Sequence, residues 1–308
     1  MTHHDTAPAD TVTQAPGGVD PRSAGPEGPF PTQEQPDQPG LTGEMTPTPD
    51  HGEESWVRRH RLTGRKALIT GGDSGIGRAI AIAYAREGAD VAIAHLAEEQ
   101  DDADETRRLV EAEGRTAATF AVDLTDEQAT VELVAAAREA LGGLDILIPN
   151  AAYQRQRDGI ENMEVAEVER VFHTNLVSTI VLAREAVPHM PPGSSIIVTT
   201  SIQASEPSPG LLDYAMTKAA LVAFAQALAQ DLAEKGIRVN AVAPGPIWTP
   251  LIPATGFPAD KVAEFGQDTP LGRAGQPAEL AGAYVYLASD ESSYVTGAVI
   301  PVTGGRPF

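Results

Sequence analysis

The stretch "ALITGGDSGIGRAI", residues 67–80, decides the fold. A short apolar run enters a glycine-rich turn, and a helical pattern opens directly after it. Gly71, Gly75 and Gly77 stand in the spacing Gly-x3-Gly-x-Gly. Gly71 permits a tight turn, Gly75 lets the backbone approach a pyrophosphate, and Gly77 lets the helix pack against the strand. The helix N-terminus then offers unpaired N–H groups and a partial positive charge to phosphates. The strand–loop–helix context separates a dinucleotide-binding loop from glycines that serve only a turn.

Outward from this loop, short β-rich runs alternate with helical stretches. "KALIT" is followed by "GRAIAIAYAREG", and "ADVAIAHL" by a charged helical stretch from Glu98 to Glu113. "RTAATFAVDL" leads into "DEQATVELVAAAREALG", and "LDILIPNAA" into a long helix through "VERVFHTNLVSTIVLAREAV". "SSIIVTTS" precedes the helix of residues 211–236, "IRVNAVAPG" follows it, and "AELAGAYVYLAS" precedes "AVIPVTGG". Nearly continuous apolar strands, each followed by a helix, predict a parallel sheet covered on both faces. The expected architecture is α/β: a doubly wound, three-layer sandwich with about seven parallel strands, one domain over residues 61–308.

Residues 1–60 differ. They hold ten of the 25 prolines and seven of the 29 glycines, with scattered apolar residues. That composition predicts an extended or partly disordered arm. Residues 1 to about 30 are expected to be mobile. Leu41, Met45 and Trp56 are candidate anchors for laying residues 31–60 on the body or on a neighbouring subunit. His3 and His4 are adjacent but lack further ligands, and read as incidental.

The 308-residue chain is 42% hydrophobic but only 5% aromatic, so its core must be mainly Ala, Val, Ile and Leu. It has no cysteine, which excludes disulfides, thiolate metal sites and Cys nucleophiles. A net charge of −21 argues against nucleic acid and anionic membrane as partners. The uncharged run from Val239 to Ala259 carries five prolines and does not read as a membrane span. The N-terminal residues lack the basic start and apolar stretch of a secretory signal, so the expectation is cytoplasmic. His173 and His189 are too far apart for a metal pair, and no metal is expected.

Tyr214 and Lys218 in "DYAMTK" lie four residues apart, on one helical face. Moving a hydride between an alcohol and a nicotinamide also moves a proton. A free tyrosine titrates near pH 10, about three units too high for that task at neutrality, and a nearby cation lowers it. Ser201 ends a strand thirteen residues before Tyr214, where ligand crevices form in such sheets. Asn175 sits mid-helix, where asparagine is slightly unfavourable. Asp213 reads as a helix-start residue.

"TGGDSGIG" together with Tyr214-x-x-x-Lys218 resembles the short-chain dehydrogenase/reductase family, over essentially all of residues 61–308. "TGGDSGIGRA" and the tail are similar to its bacterial general stress and glucose/ribitol dehydrogenase-like branch. The resemblance implies an oxidoreductase that interconverts an alcohol, with sugars and polyols among the candidates, and a carbonyl with NAD or NADP. It implies Tyr214 as general acid/base and Lys218 as the group that lowers its pKa and holds the ribose. Ser201 would orient substrate, and Asn175 would hold a water in a proton relay to Lys218. For the cofactor it implies Gly71, Asp73, Ser74, Gly75, Ile76 and Gly77 in the loop, with His95 and Leu96 after the second strand. Asp123 and Leu124 would contact adenine, and Asn150, Ala151 and Ala152 would follow the fourth strand. Pro244, Gly245, Ile247 and Thr249 would brace the nicotinamide. Pro149 and Ala152 depart from the family's usual Asn and Gly. No acid ends the second strand, Ser74 replaces a basic residue, and Arg78 is either a nearby cation or a helix-surface residue, so NAD and NADP stay open. The resemblance also implies a homotetramer. The alternative is an idle nucleotide-binding sensor or scaffold.

Overall fold

The computed structural model describes residues 26, 28–35 and 38–308. Most of the segment expected to be mobile, residues 1 to about 30, lies outside the described residues. The sheet has seven parallel strands: β1 (Lys66–Thr70), β2 (Asp90–His95), β3 (Ala117–Ala121), β4 (Ile146–Ile148), β5 (Ser195–Thr199), β6 (Arg238–Pro244) and β7 (Val299–Val302). Their order is β3-β2-β1-β4-β5-β6-β7. The expected doubly wound sandwich is therefore present, with the order reversing between β1 and β4. A crevice forms at such a reversal, beyond the carboxyl ends of the strands.

The helices are α1 (Gly75–Arg86), α2 (Gln100–Ala112), α3 (Glu127–Leu141), α4 (Val165–Phe172), α5 (Ser178–Ala186), α6 (Leu212–Leu232), α7 (Leu251–Ala254), α8 (Ala259–Ala263) and α9 (Pro277–Ala288). Alternate residues of each strand feed two cores. Ala67, Ile69, Val91 and Ile93 face one, with Ile80, Tyr84, Tyr284 and Leu287 from α1 and α9. Leu68, Ala92, Ile196 and Val198 face the other, with Leu133, Leu182, Leu221 and Leu232 from α3, α5 and α6. This period of two on strands buried on both faces explains their unbroken apolar runs. Two boundaries shift: α2 begins only after a 3-10 turn at Ala97–Glu99, and the long fourth helix is split by a π turn at His173–Val177. The segment Pro209–Lys235, containing α6, is long and apolar enough to cross a membrane by length and composition. Here α6 covers the sheet, with Leu221, Ala225, Ala229 and Leu232 in the core.

A third apolar cluster joins the arm to the body. Phe30 and Met45 pack with Trp248, Ile252, Phe257 and Tyr214, and the Phe30 and Trp248 rings lie 4.1 Å apart. Trp248 Nε1 donates to Pro47 O at 2.8 Å. At the arm's other end, Glu87 is the C-cap of α1, its backbone N–H donating to Ala83 O and Ala85 O, and its side chain is buried. It accepts bonds from Trp56 Nε1, the Arg59 and Arg61 amides and the Arg61 guanidinium. Burial raises the Glu87 pKa, but the Arg61 hydrogen bonds and charge together outweigh it and leave the pKa below the ordinary carboxylate value. Removing one partner of such a buried pair costs about 3–5 kcal/mol. Glu87→Ala should lower unfolding free energy by about that amount at pH 7, measured by urea titration. A carboxylate with a depressed folded pKa stabilises above its unfolded value and loses that contribution as pH falls. The difference between wild type and variant should therefore shrink once pH drops through 4.5.

Candidate active site

At the end of β1 the chain turns through Gly71 at φ +61° and enters α1 through Gly75 at φ +48°. Both values are in the left-handed region, where glycine alone is unstrained. A Cβ on Gly77 would meet Gly71 O at 1.8 Å, so the helix touches the strand end with no room for a side chain. Ser74 is the N-cap of α1 but makes no side-chain cap bond, which leaves the first-turn amides aimed at the crevice. Asn150, beyond β4, fastens this loop: its Nδ2 donates to Thr70 O and Gly71 O, both at 3.1 Å. Thr199 Oγ1 donates to its Oδ1 at 3.1 Å. The Asn150 side chain is thus spent on the loop itself.

A cleft of about 740 Å³ runs along the carboxyl ends of the strands. Of the residues expected there, all line it except Gly77 and Asn175, which lie behind its wall. At one end His95 Nδ1 donates to Leu96 O at 2.8 Å, and the Leu96 amide donates to Glu99 Oε2 at 2.8 Å. Asp123 accepts from the amide and hydroxyl of Thr125. Asp73 is buried, and neither carboxylate oxygen finds a partner of acceptable geometry. Burial pushes Asp73 up to about 6 and, with the Asp73 charge adding to it, Glu99 up to about 8. Arg78 is neither surface residue nor free cation. It is buried, and its guanidinium donates to Asp73 O, Thr106 Oγ1, Asp102 O and Asp102 Oδ1. Of the two sequence readings, nearby cation or helix-surface residue, the surface one does not hold, because α2 packs over this side of α1.

At the other end stand Tyr214, Lys218 and Ser201. Ser201 stands beside the Tyr214 hydroxyl, where it opposes the rise of the tyrosine pKa, and accepts from the Gln203 amide at 3.2 Å. Lys218 is 1% exposed. Its Nζ donates to Thr199 O at 2.9 Å and lies 5.3 Å from the Tyr214 ring centroid. The expectation that Lys218 lowers the tyrosine pKa is not met in this state. Burial carries Tyr214 up to about 12, against a smaller opposing pull from Ser201. The same burial brings Lys218 down to about 7, so it offers less charge than a solvated lysine. Asn175 occupies the π turn, a geometry frequent at functional sites. Its amide exchanges bonds with the Tyr153 backbone, at 2.8 and 3.0 Å, and donates to Thr217 Oγ1 at 3.2 Å. It therefore ties the segment after β4 to the residue preceding Lys218 and makes no direct bond to Lys218.

Sequence reading missed three contributors. Asp213 is fully buried and accepts two bonds from Arg157, at 2.7 and 3.1 Å, pinning the loop after β4 to the start of α6. Gln154 lines the cleft and donates to Thr255 Oγ1 at 2.8 Å. Gln38, Pro39 and Gly40 of the arm line it too. Only the Tyr-adjacent position of Asp213 gave any signal. Among the described residues no group of His, Cys, Asp or Glu is arranged to hold a metal ion.

A family model described as enoyl-(acyl carrier protein) reductase matches residues 71–306. The chain belongs to the short-chain dehydrogenase/reductase family. It is 51% identical to general stress protein 39 of Bacillus subtilis, over 90% of this chain and 96% of that one. It is 44% identical to the glucose and ribitol dehydrogenase of Daucus carota, over 90% and 97%. A short-chain dehydrogenase of Burkholderia cenocepacia, solved in complex with NADP, superposes with a TM-score of 0.74 at 34% identity, over 80% of this chain and 98% of that one.

The buried lysine carries a testable cost. Its folded pKa lies below the unfolded 10.5, so between about 7 and 10.5 the native state binds fewer protons than the unfolded one. Stability from this group is lowest below pH 7 and rises through that window. Lys218→Met should therefore raise Tm at pH 7, by about 2–4 °C if roughly 1 kcal/mol is recovered, in calorimetry. The gain should fade towards pH 10.

Proposed function

We propose that this member of the family is an NAD(P)-dependent oxidoreductase that interconverts an alcohol and a carbonyl, with sugars, polyols and aldehydes as the substrate classes to test. The observation that carries the reading is the convergence of Tyr214, Ser201 and Lys218 at one end of a cleft whose other wall is the glycine loop. The residues fit a dinucleotide. Gly71 and Gly75 bring the loop backbone close to its neighbours: a Cβ there would lie 3.0 Å from Ala151 Cα and 3.1 Å from Thr249 Cβ, respectively, so the cleft wall here is bare backbone. Glu99 and His95, which line the cleft beside Leu96, offer acceptors suited to ribose hydroxyls. The reading treats residues 1–60 as an arm on a catalytic domain of residues 61–308.

In this reading the α1 N-terminus and the loop amides hold the pyrophosphate, and Asp123, Leu124 and Leu96 flank the adenine. Pro244, Gly245, Ile247 and Thr249 brace the nicotinamide, which supplies the hydride. Ser201 holds the substrate oxygen. Tyr214, protonated in the resting site because burial favours the phenol, donates its proton to a carbonyl oxygen. Lys218 binds ribose hydroxyls and, when protonated, stabilises the phenolate left behind. Asn175 fixes the backbone on both sides of this group, and through ordered water it would restore the proton.

Removing the proton donor while keeping the ring tests the mechanism. Tyr214→Phe should lower kcat at least a hundredfold on a panel of aldehydes, ketones and polyols followed by nicotinamide absorbance. Its affinity for reduced cofactor, titrated by fluorescence, should stay within about threefold of wild type. Unchanged turnover would refute the role of Tyr214, and a wild type that binds cofactor but turns over no substrate would favour the idle-sensor alternative. A homotetramer is also proposed, because Val177, Ile180 and Met216 expose apolar side chains on the α4–α6 face. Light scattering at micromolar protein should give four chain masses; a monomer would count against it.

A further inference from the structure

The solved relative covers 80% of this chain, and the arm adds something to the cleft that the shared domain does not. Gln38, Pro39 and Gly40 line it beside Leu96, Asp123, Tyr153 and Pro250. The Gln38 amide donates both to Gln154 O, in the segment after β4, and to Ala254 O in α7, at 3.0 Å for the latter. It thereby bridges two walls of the cleft. Gly40 is pressed on Pro250: a Cβ there would lie 2.3 Å from the Pro250 carbonyl oxygen. The Gln35 side chain exchanges bonds with the Leu41 backbone in both directions, which fixes the shape of this crossing. Gln35 and Phe30 also bond Pro253 O and Ala263 O, so the arm lies along the whole α7–α8 segment.

On the opposite rim the Thr42 amide donates to Asp102 Oδ2 at 2.9 Å. Asp102 Oδ1 accepts from Arg78 at 2.7 Å, and Arg78 donates in turn to Asp73 O of the glycine loop. One end of the crossing is therefore wired to the phosphate-binding loop, and the other to the wall beside Tyr214. Any ligand long enough to reach from Leu96 to Tyr214 shares the cleft with residues 38–42.

We propose that residues 38–42 are a strap belonging to the cofactor site: they close the cleft over bound nicotinamide cofactor and control its release. The proposal rests on the NAD(P) reading above. Cofactor leaves when Gln38 lets go of Gln154 and Ala254 and the α7–α8 segment swings free. The strap makes no chemistry, so its residues govern release and affinity and leave the proton-transfer step alone.

The test is the release rate of NADH and NADPH from the full-length protein, by stopped-flow nicotinamide fluorescence. Gln38→Ala removes the bridge and Gly40→Val drives the crossing off Pro250. Gln38→Ala should speed release about fivefold or more, the yield from two lost hydrogen bonds, and Gly40→Val should speed it in the same direction. Gln33→Ala, which alters only exposed bonds to Pro31 and Thr46 within the arm, should leave release within twofold of wild type. Cofactor binding to wild type should slow amide hydrogen exchange at Leu41 and Thr42, which a merely structural arm would not show. Release unchanged in both strap variants, or exchange at those amides indifferent to cofactor, overturns the strap while the functional reading stands. A wild type that binds neither cofactor overturns the functional reading and the strap together.

Discussion

The structure depends on how closely α1 approaches the end of β1. With Gly77 against the Gly71 carbonyl, the helix axis points its free amides at one spot beyond the sheet. Asn150 holds that arrangement from the neighbouring strand, at the point where strand order reverses. A glycine, not a larger residue, sets the distance because nothing between helix and loop can be compressed. Cleft position and width both follow from this contact. Residues after β2 to β6, on α6 and on the arm contribute to the site only because they meet there.

The chemistry at the other end uses a different resource, which is exclusion of water. Tyr214 and Lys218 are both buried, and burial moves them in opposite directions: the phenol keeps its proton longer and the ammonium loses its sooner. Their titration ranges are separated less by mutual attraction than by shared desolvation. The buried Arg157–Asp213 pair and the Asn175 amide hold the surrounding backbone, so the pair cannot relax by letting water in. The site keeps an unfavourable lysine because its place in the wall has use.

Much of this was legible in the sequence. Strands buried on both faces leave unbroken apolar runs, and glycines that fit only one geometry leave a fixed spacing, so sheet, loop and the order of Ser201, Tyr214 and Lys218 could be read. What could not be read was set by contacts between distant segments. Arg78 looks like a surface residue until α2 is laid over it, and Asp213 looks like a helix start until Arg157 arrives from the loop after β4. The direction of the Tyr214 shift required knowing how deeply the ring is buried, which residue spacing does not encode. The arm's composition announced an extended segment, but where Gln38 lands depends on backbone carbonyls that carry no sequence signature.

The arm's partners also bear on the order in which the protein comes into being. Gln38 bonds a residue 216 positions later, Asp50 one 226 later, and Trp248 reaches back 201 positions to Pro47. This part of the arm precedes in the chain several of its docking residues, which lie between β6 and α9. Until those residues are made, the arm can hold only earlier partners such as Glu87, Asp102 and Gln154. Closure of the cleft is thus deferred until the segment from β6 to α9 has been made, and long-range contacts of this kind form slowly. The interval gives a small ligand a time when the crevice is open from every side.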